Sequence, residues 1–193
     1  MDGVNRALEV DYLIEKSIRF FSQISDDDIP CIFISYQRRD EDYASEVAEY
    51  IKSKQLDVYF DLEDNDLKLQ NQIVNPKEVT NAIRNGLNKS QYMIVIISPN
   101  TIRSPWVPFE VGYAFDEKGD NMKLLRHKEI NKNTIPDYLK VKEMLQGSSS
   151  LDEFLKTIRK NHLIYENLMK KGEEVKTFSE YTNNPLNKYL DNE

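Results

Sequence analysis

Short apolar runs alternate with longer amphipathic stretches from residue 31 onward. The run at residues 92–97 holds six apolar residues without polar alternation, which is typical of a strand buried on both faces of a parallel sheet. Four further runs of strand length lie at residues 31–35, 56–60, 122–125 and 141–145. Because the predicted strands alternate with helices, we predict an α/β fold, an open parallel five-stranded sheet with helices on both faces.

A separate amphipathic stretch precedes the first strand. Residues 4–24 place apolar side chains at near-helical spacing between charged ones, which predicts a helix that packs on the domain; an interface helix for self-association is the alternative. The acidic residues 25–28 follow as a solvated hinge. The predicted organisation is an N-terminal helix and hinge at 1–28, one domain at 29–171 and a charged tail at 172–193.

Three helix starts carry capping signals. Asp40 is placed to cap the helix that follows the first strand. Asn75 with Pro76 supplies a capping residue and a first-turn proline for the next helix. Ser150 with Glu153 predicts a capping box at the start of the last helix.

Composition limits the classes of partner and compartment. The 193 residues carry 26 basic and 33 acidic side chains, a formal net charge of -7, which argues against nucleic acid as the main partner. Cys31 is the single cysteine of the sequence, so we predict no disulfide and a protein of the reducing cytoplasm. His127 and His162 have no partners at metal-ligand spacing, so we predict no metal site. No apolar run approaches the roughly 20 residues that span a membrane, and no signal-peptide pattern is present.

The sheet order locates the candidate site. Open parallel sheets bind ligands beyond the carboxyl ends of their strands, and in the order 2-1-3-4-5 the winding reverses between strands one and three. The loops at residues 36–40 and 98–110 flank that point, and their side chains suit an anionic, aromatic, ribose-containing ligand. Arg38 and Arg39 are candidates for a pyrophosphate, with a solvated pair as the alternative. The candidate site residues are Ser35, Tyr36, Arg38, Arg39, Asp40, Ser98, Ser104, Trp106 and Glu110.

At these residues the sequence resembles a TIR domain. Residues 32–36, Ile-Phe-Ile-Ser-Tyr, with Arg38 and Asp40, are similar to the first box of that family. The polar, acid-rich loop from residue 61 to about residue 72 resembles its BB loop, and residues 104–110, Ser-Pro-Trp-Val-Pro-Phe-Glu, resemble its tryptophan-to-glutamate segment. Loops of such length are more often functional than decorative.

The resemblance covers residues 31–118 and implies a flavodoxin-like fold. In enzymatic TIR domains it implies cleavage of the nicotinamide-ribose bond of NAD+ by the glutamate that Glu110 matches, with NAD+ as substrate and no cofactor. The N-terminal helix and residues 135–139 are less specifically similar to TIR proteins of the bacterial Thoeris antiphage system. That similarity implies a cyclic ADP-ribose isomer read by a partner effector. The alternative is a non-catalytic adaptor module that associates with other TIR domains.

A single carboxylate is sufficient for this chemistry. Ordinary glycosidases use two carboxyl groups, because their leaving alkoxide must be protonated, whereas the pyridinium of NAD+ departs as neutral nicotinamide. One fixed carboxylate in a water-excluded site stabilises the oxocarbenium-like ribose electrostatically. If Pro108 is the first helical residue, Glu110 is the third, where the helix dipole favours its charge. A structural acid at a helix start, with Trp106 as its hydrophobic staple, is the alternative.

Overall fold

The computed structural model describes six ranges of the chain. They are residues 2–8, 12–14, 16–18, 29–60, 76–162 and 184–191. The long loop that begins at residue 61, the acidic hinge, and the first part of the tail lie outside the described residues. The predictions made for these segments therefore stay predictions.

Five strands form one all-parallel sheet in the order 2-1-3-4-5. This order confirms the predicted flavodoxin-like α/β fold. The shortest strand is the edge strand β5, because a turn at residues 141–142 occupies the start of the predicted run at 141–145. The strands are β1 (Cys31–Ser35), β2 (Asp57–Tyr59), β3 (Tyr92–Ile97), β4 (Met122–Arg126) and β5 (Met144–Leu145).

Within the described ranges from residue 29 onward, five α-helices connect and cover the strands. They are α1 (Glu41–Ser53), α2 (Pro76–Asn88), α3 (Trp106–Lys118), α4 (Asp137–Lys140) and α5 (Ser148–Asn161). None of the helices in the described ranges is long and apolar enough to cross a membrane.

The two faces of the sheet have separate cores. Because successive side chains of a strand point to opposite faces, β1 sends Ile32 and Ile34 toward α1 and α5, and Phe33 toward α2 and α3. Phe33 is a core residue, as predicted, and its ring stacks on that of Tyr59 with centroids 5.8 Å apart. Gly86 lets α2 approach this pair, since a Cβ there would lie 2.4 Å from the Tyr59 ring.

The N-terminal helix begins later than predicted. Instead of starting a helix at residue 4, residues 3–6 run along the free edge of β2, with a parallel bridge between Asn5 and Val58. Arg6 forms a buried ion pair with Asp57 at 2.7 Å. These backbone and charged contacts outweigh the helical periodicity of the stretch, because they satisfy groups that would otherwise be buried without partners.

Helical residues follow at 12–14 and 16–18. The apolar side chains Leu13, Ile14 and Ile18 are exposed. The described part of this helix therefore does not bury its apolar side chains on the domain, contrary to the predicted packing helix.

Residues 184–191 dock near the opposite edge of the sheet, beside β5. Leu186 and Leu190 are buried in the core on the α1 face, and Tyr189 packs beside them. Asp191 bridges Gly147 and forms an ion pair with Arg126. These contacts join residues 184–191 to the domain.

Helix α5 starts earlier than predicted. It begins at Ser148, and the Ser150 hydroxyl accepts the N–H of Gly147 at 3.1 Å. The predicted capping serine thus lies in the first turn and bonds backward to the residue before the helix, so the proposed cap position is wrong by three residues.

Candidate functional site

Helix α3 brings Glu110 to the carboxyl end of the sheet. The helix begins at Trp106, two residues before the predicted start, and the Ser104 hydroxyl accepts the N–H groups of Trp106 and Val107 at 3.3 and 3.4 Å. Pro108 is then the third helical residue, where a missing N–H costs no helical hydrogen bond. Glu110 is the fifth residue instead of the predicted third, so the dipole favours its charge less than expected.

Glu110 is buried and bonded to the neighbouring strand. The residue is 8% exposed, and Ser35, the last residue of β1, donates its hydroxyl hydrogen to Glu110 Oε2. Ser35 is itself 1% exposed and pairs with Val95 of β3. Because an ionised carboxylate buried without donors would be strongly unfavourable, this bond both holds and stabilises the Glu110 side chain.

A second carboxylate, Asp40, connects the two loops that flank the point between β1 and β3. Ser98 donates its hydroxyl hydrogen to Asp40 Oδ2 at 2.5 Å, and the Asn100 amide donates to Oδ1 at 2.7 Å. The Thr101 hydroxyl lies 3.4 Å from the same Oδ2. We call these four side chains the cross-loop bridge.

The predicted helix cap at Asp40 is wrong. Asp40 precedes the first residue of α1, but its side chain makes no capping hydrogen bond. Its carboxylate points to the neighbouring loop instead, because the Ser98 hydroxyl and the Asn100 amide supply donors that the helix N-terminus would otherwise provide.

The two aromatic candidates, Tyr36 and Trp106, pack on opposite faces of the sheet. Tyr36 is half-buried, and its ring centroid lies 4.9 Å from that of Phe60, the residue after β2. Trp106, also half-buried, meets Phe109 edge-on with ring centroids 6.2 Å apart. Both rings keep part of their surface accessible to a ligand.

The two arginines are at the rim. Arg38 and Arg39 are exposed and belong to one short 3-10 turn, Arg38–Asp40. The Gln37 side chain closes the turn by accepting the Arg39 N–H at 2.7 Å. The turn therefore places both residues directly before Asp40, which bonds to the loop after β3.

Sequence reasoning missed Asn100, Thr101 and the surroundings of His127. His127 follows β4 directly, and its ring lies edge-on to Tyr43 with centroids 5.4 Å apart. Burial lowers the pKa of His127, an effect that the Glu129 and Asp40 carboxylates oppose. Its position after a predicted strand was the signal that could have drawn attention to it.

Tyr43 adds a buried hydroxyl to this region. Among the described residues its oxygen has no hydrogen-bond partner. Burial first, and then the nearby Asp40 carboxylate, raise the pKa of Tyr43. The phenol therefore stays neutral beside the cross-loop bridge. Within the described ranges, no three histidine, cysteine, aspartate or glutamate side chains gather closely enough to hold a metal ion.

Comparison with known proteins identifies the family. The TIR domain family matches residues 32–160, which is more than half of the chain. The chain belongs to the TIR domain family. Human Toll-like receptor 6 is 27% identical over 142 residues, a match that covers 70% of this chain and 17% of the receptor. The TIR domain here is thus a module of the kind that signals through association with other TIR domains or cleaves NAD+.

Proposed function

We propose that this TIR domain cleaves the nicotinamide-ribose bond of NAD+, with Glu110 as the catalytic carboxylate. The observation that carries the proposal is the burial of Glu110 against Ser35 at the carboxyl end of β1, next to β3. In this class of sheet that is the place where ligands bind. A buried acid there places negative charge where a sugar cation would form.

The chemistry needs little more than this charge. As the glycosidic C–N bond breaks, its electron pair goes to the pyridinium nitrogen, and neutral nicotinamide leaves an oxocarbenium-like ribose. Glu110 stabilises that cation electrostatically, more strongly in a dry crevice than in water. Attack by water, which then loses a proton, gives ADP-ribose, and attack by a nucleophile within ADP-ribose gives a cyclic isomer.

Four of the predicted substrate residues suit direct contact with NAD+. Arg38 and Arg39 are exposed at the rim and carry the charge that a pyrophosphate requires. Tyr36 and Trp106 offer half-buried rings for stacking on a base or on nicotinamide.

The other four already bond within the protein, and we assign them the frame of the site. Ser35 holds Glu110, and Ser104 holds the start of α3. Asp40 and Ser98 bond to each other.

The biological setting follows from the similarity to Thoeris TIR proteins. We propose a cytoplasmic enzyme whose product is a cyclic ADP-ribose isomer that activates a partner effector in antiphage defence. Cyclisation requires water to be excluded and the internal nucleophile to be aligned. Self-association of TIR domains would supply such closure.

A non-catalytic adaptor is the second candidate function. The observation that favours it is the similarity to human Toll-like receptor 6, because that protein is named as a receptor and not as an enzyme. The two functions differ in their need for Glu110, because an adaptor has no chemical use for a buried carboxylate at this position.

Chromatographic detection of nicotinamide released from NAD+ tests the proposal. Purified protein, assayed over a wide range of protein concentration to allow self-association, should release nicotinamide, and Glu110→Gln should not. Asp116→Asn is the matched control, because Asp116 is an exposed acid on the same helix. Absence of release by the folded wild type at every concentration would favour the adaptor.

A further inference from the structure

The cross-loop bridge of Asp40, Ser98, Asn100 and Thr101 uses an acid in an unusual way. Aspartate is among the best helix-capping residues, and Asp40 stands at the capping position of α1. Yet it leaves the helix uncapped, and both its oxygens accept hydrogen bonds from the loop after β3. Because the local interaction is given up, the contact with the other loop must be what this side chain contributes.

The bridge is continuous with the helix that carries Glu110. The Ser98 hydroxyl, which donates to Asp40, accepts the N–H groups of Asn100 and Thr101 at 3.0 and 3.1 Å. The Thr101 carbonyl accepts the N–H of Ser104 at 3.0 Å. Ser104 in turn accepts the first N–H groups of α3. A chain of hydrogen bonds thus runs from Asp40 to the start of this helix.

We propose that Asp40 is a positioning residue that fixes the loop after β3, and through it the start of α3, relative to β1. The consequence for catalysis rests on the proposed function, because it is Glu110 that this arrangement aligns with the Ser35 hydroxyl. The consequence for the loop does not depend on any reaction.

A direct role in binding NAD+ fits Asp40 less well. Both carboxylate oxygens already accept protein donors. A carboxylate also repels the pyrophosphate that Arg38 and Arg39, on the adjoining turn, are proposed to bind. The prediction that Asp40 binds substrate is therefore replaced by a role in which it touches only the protein.

Steady-state kinetics and hydrogen–deuterium exchange together test this role. Asp40→Asn should lower kcat by about 10- to 100-fold with little change in KM, because a small misplacement of catalytic groups costs that much. It should also speed amide exchange in residues 98–107. The matched control, Asp42→Asn, changes an exposed acid on α1 and should alter neither measurement.

Ser98→Ala provides a second variant at the other end of the bond. It should reproduce both effects, and the double variant should be scarcely worse than either single one, because residues of one network do not act additively. Full additivity of the two changes would show that Asp40 and Ser98 act independently and would overturn the proposal.

The remaining outcomes separate this inference from the proposed function. A rise in KM at unchanged kcat, with normal exchange in residues 98–107, would make Asp40 a substrate ligand and overturn the inference. If the wild type releases no nicotinamide, the proposed function fails, and exchange alone decides. Normal exchange in Asp40→Asn then overturns the positioning role, and faster exchange confined to the loop supports it.

Discussion

Two carboxylates at the carboxyl end of the sheet, Glu110 and Asp40, have different surroundings. Glu110 lies on helix α3, is 8% exposed and accepts a hydrogen bond from the Ser35 hydroxyl of β1. Asp40 lies in the loop after β1, is half-buried and accepts hydrogen bonds from Ser98 and Asn100 in the loop after β3. We propose that the buried charge of Glu110 stabilises a substrate cation, whereas the charge of Asp40 joins two loops and stabilises the fold. Replacing each acid should therefore damage a different property.

Glu110→Gln should have the largest effect. We expect nicotinamide release to fall by about a thousandfold, the upper range for loss of one electrostatic stabiliser. The free energy of unfolding should stay the same or rise, because a neutral amide is less costly to bury than a carboxylate. Kinetics and urea denaturation of the same preparations measure the two quantities. A variant that keeps most of its activity would remove Glu110 from the mechanism.

Asp40→Ala should show the opposite balance, with a clear loss of stability. Removing the carboxylate leaves the Ser98 hydroxyl and the Asn100 amide without their charged acceptor, so the free energy of unfolding should fall by about 1–3 kcal/mol. Urea denaturation measures this, with Asp42→Ala as the control for loss of an exposed acid. Equal stability of the two variants would contradict the structural role of the bridge.

Ser35→Ala tests how Glu110 is held. Loss of a donor to the charged carboxylate should lower kcat by about tenfold, within the usual range for one charge-assisted bond. Steady-state kinetics measure this loss. Ser90→Ala removes another buried serine hydroxyl, which bonds to Gly86, and should leave kcat unchanged. An unchanged kcat in Ser35→Ala would show that Ser35 only fills space.

The pH dependence of stability should be the smallest effect. Burial lowers the pKa of His127 from its ordinary value of 6.5, so the folded protein binds this proton more weakly than the unfolded chain. Stability should therefore fall as pH drops below about 6.5, down to the folded pKa. His162, whose pKa burial also lowers, contributes in the same direction.

Thermal melting across that interval checks the sign. His127→Gln should flatten the dependence in part, leaving the share of His162. Asp40→Asn should steepen it, because it removes a carboxylate that favours protonated His127. A melting temperature of the wild type that rises on acidification would contradict the expected loss of stability below about pH 6.5.

The local pattern of apolar and polar residues was enough to predict the strands and helices that surround the site. The unbroken apolar run at 92–97 became β3, buried along its whole length, and the stripe from Tyr43 to Ile51 became the buried face of α1. Glu110 and Ser35 were both predicted as site residues from the sequence, because the regular spacing of strands and helices determines which residues lie at the carboxyl ends of the strands.

Where a polar group has more than one available partner, prediction from local spacing failed. Asp40 has the sequence context of a helix cap, and Arg6 the context of a helical surface charge. In the structure, Asp40 instead bonds to Ser98 and Asn100, and Arg6 forms an ion pair with Asp57.

The sequence by itself determined the order of the elements and the side chains that the carboxyl edge of the sheet would present. Only the tertiary structure decided which of those side chains bond to each other, and hence which acid is buried against a strand and which joins two loops. The physical reason is that apolar periodicity is a property of neighbouring residues, whereas the hydrogen bonds from Asp40 to Ser98 and from Ser35 to Glu110 connect residues 58 and 75 positions apart.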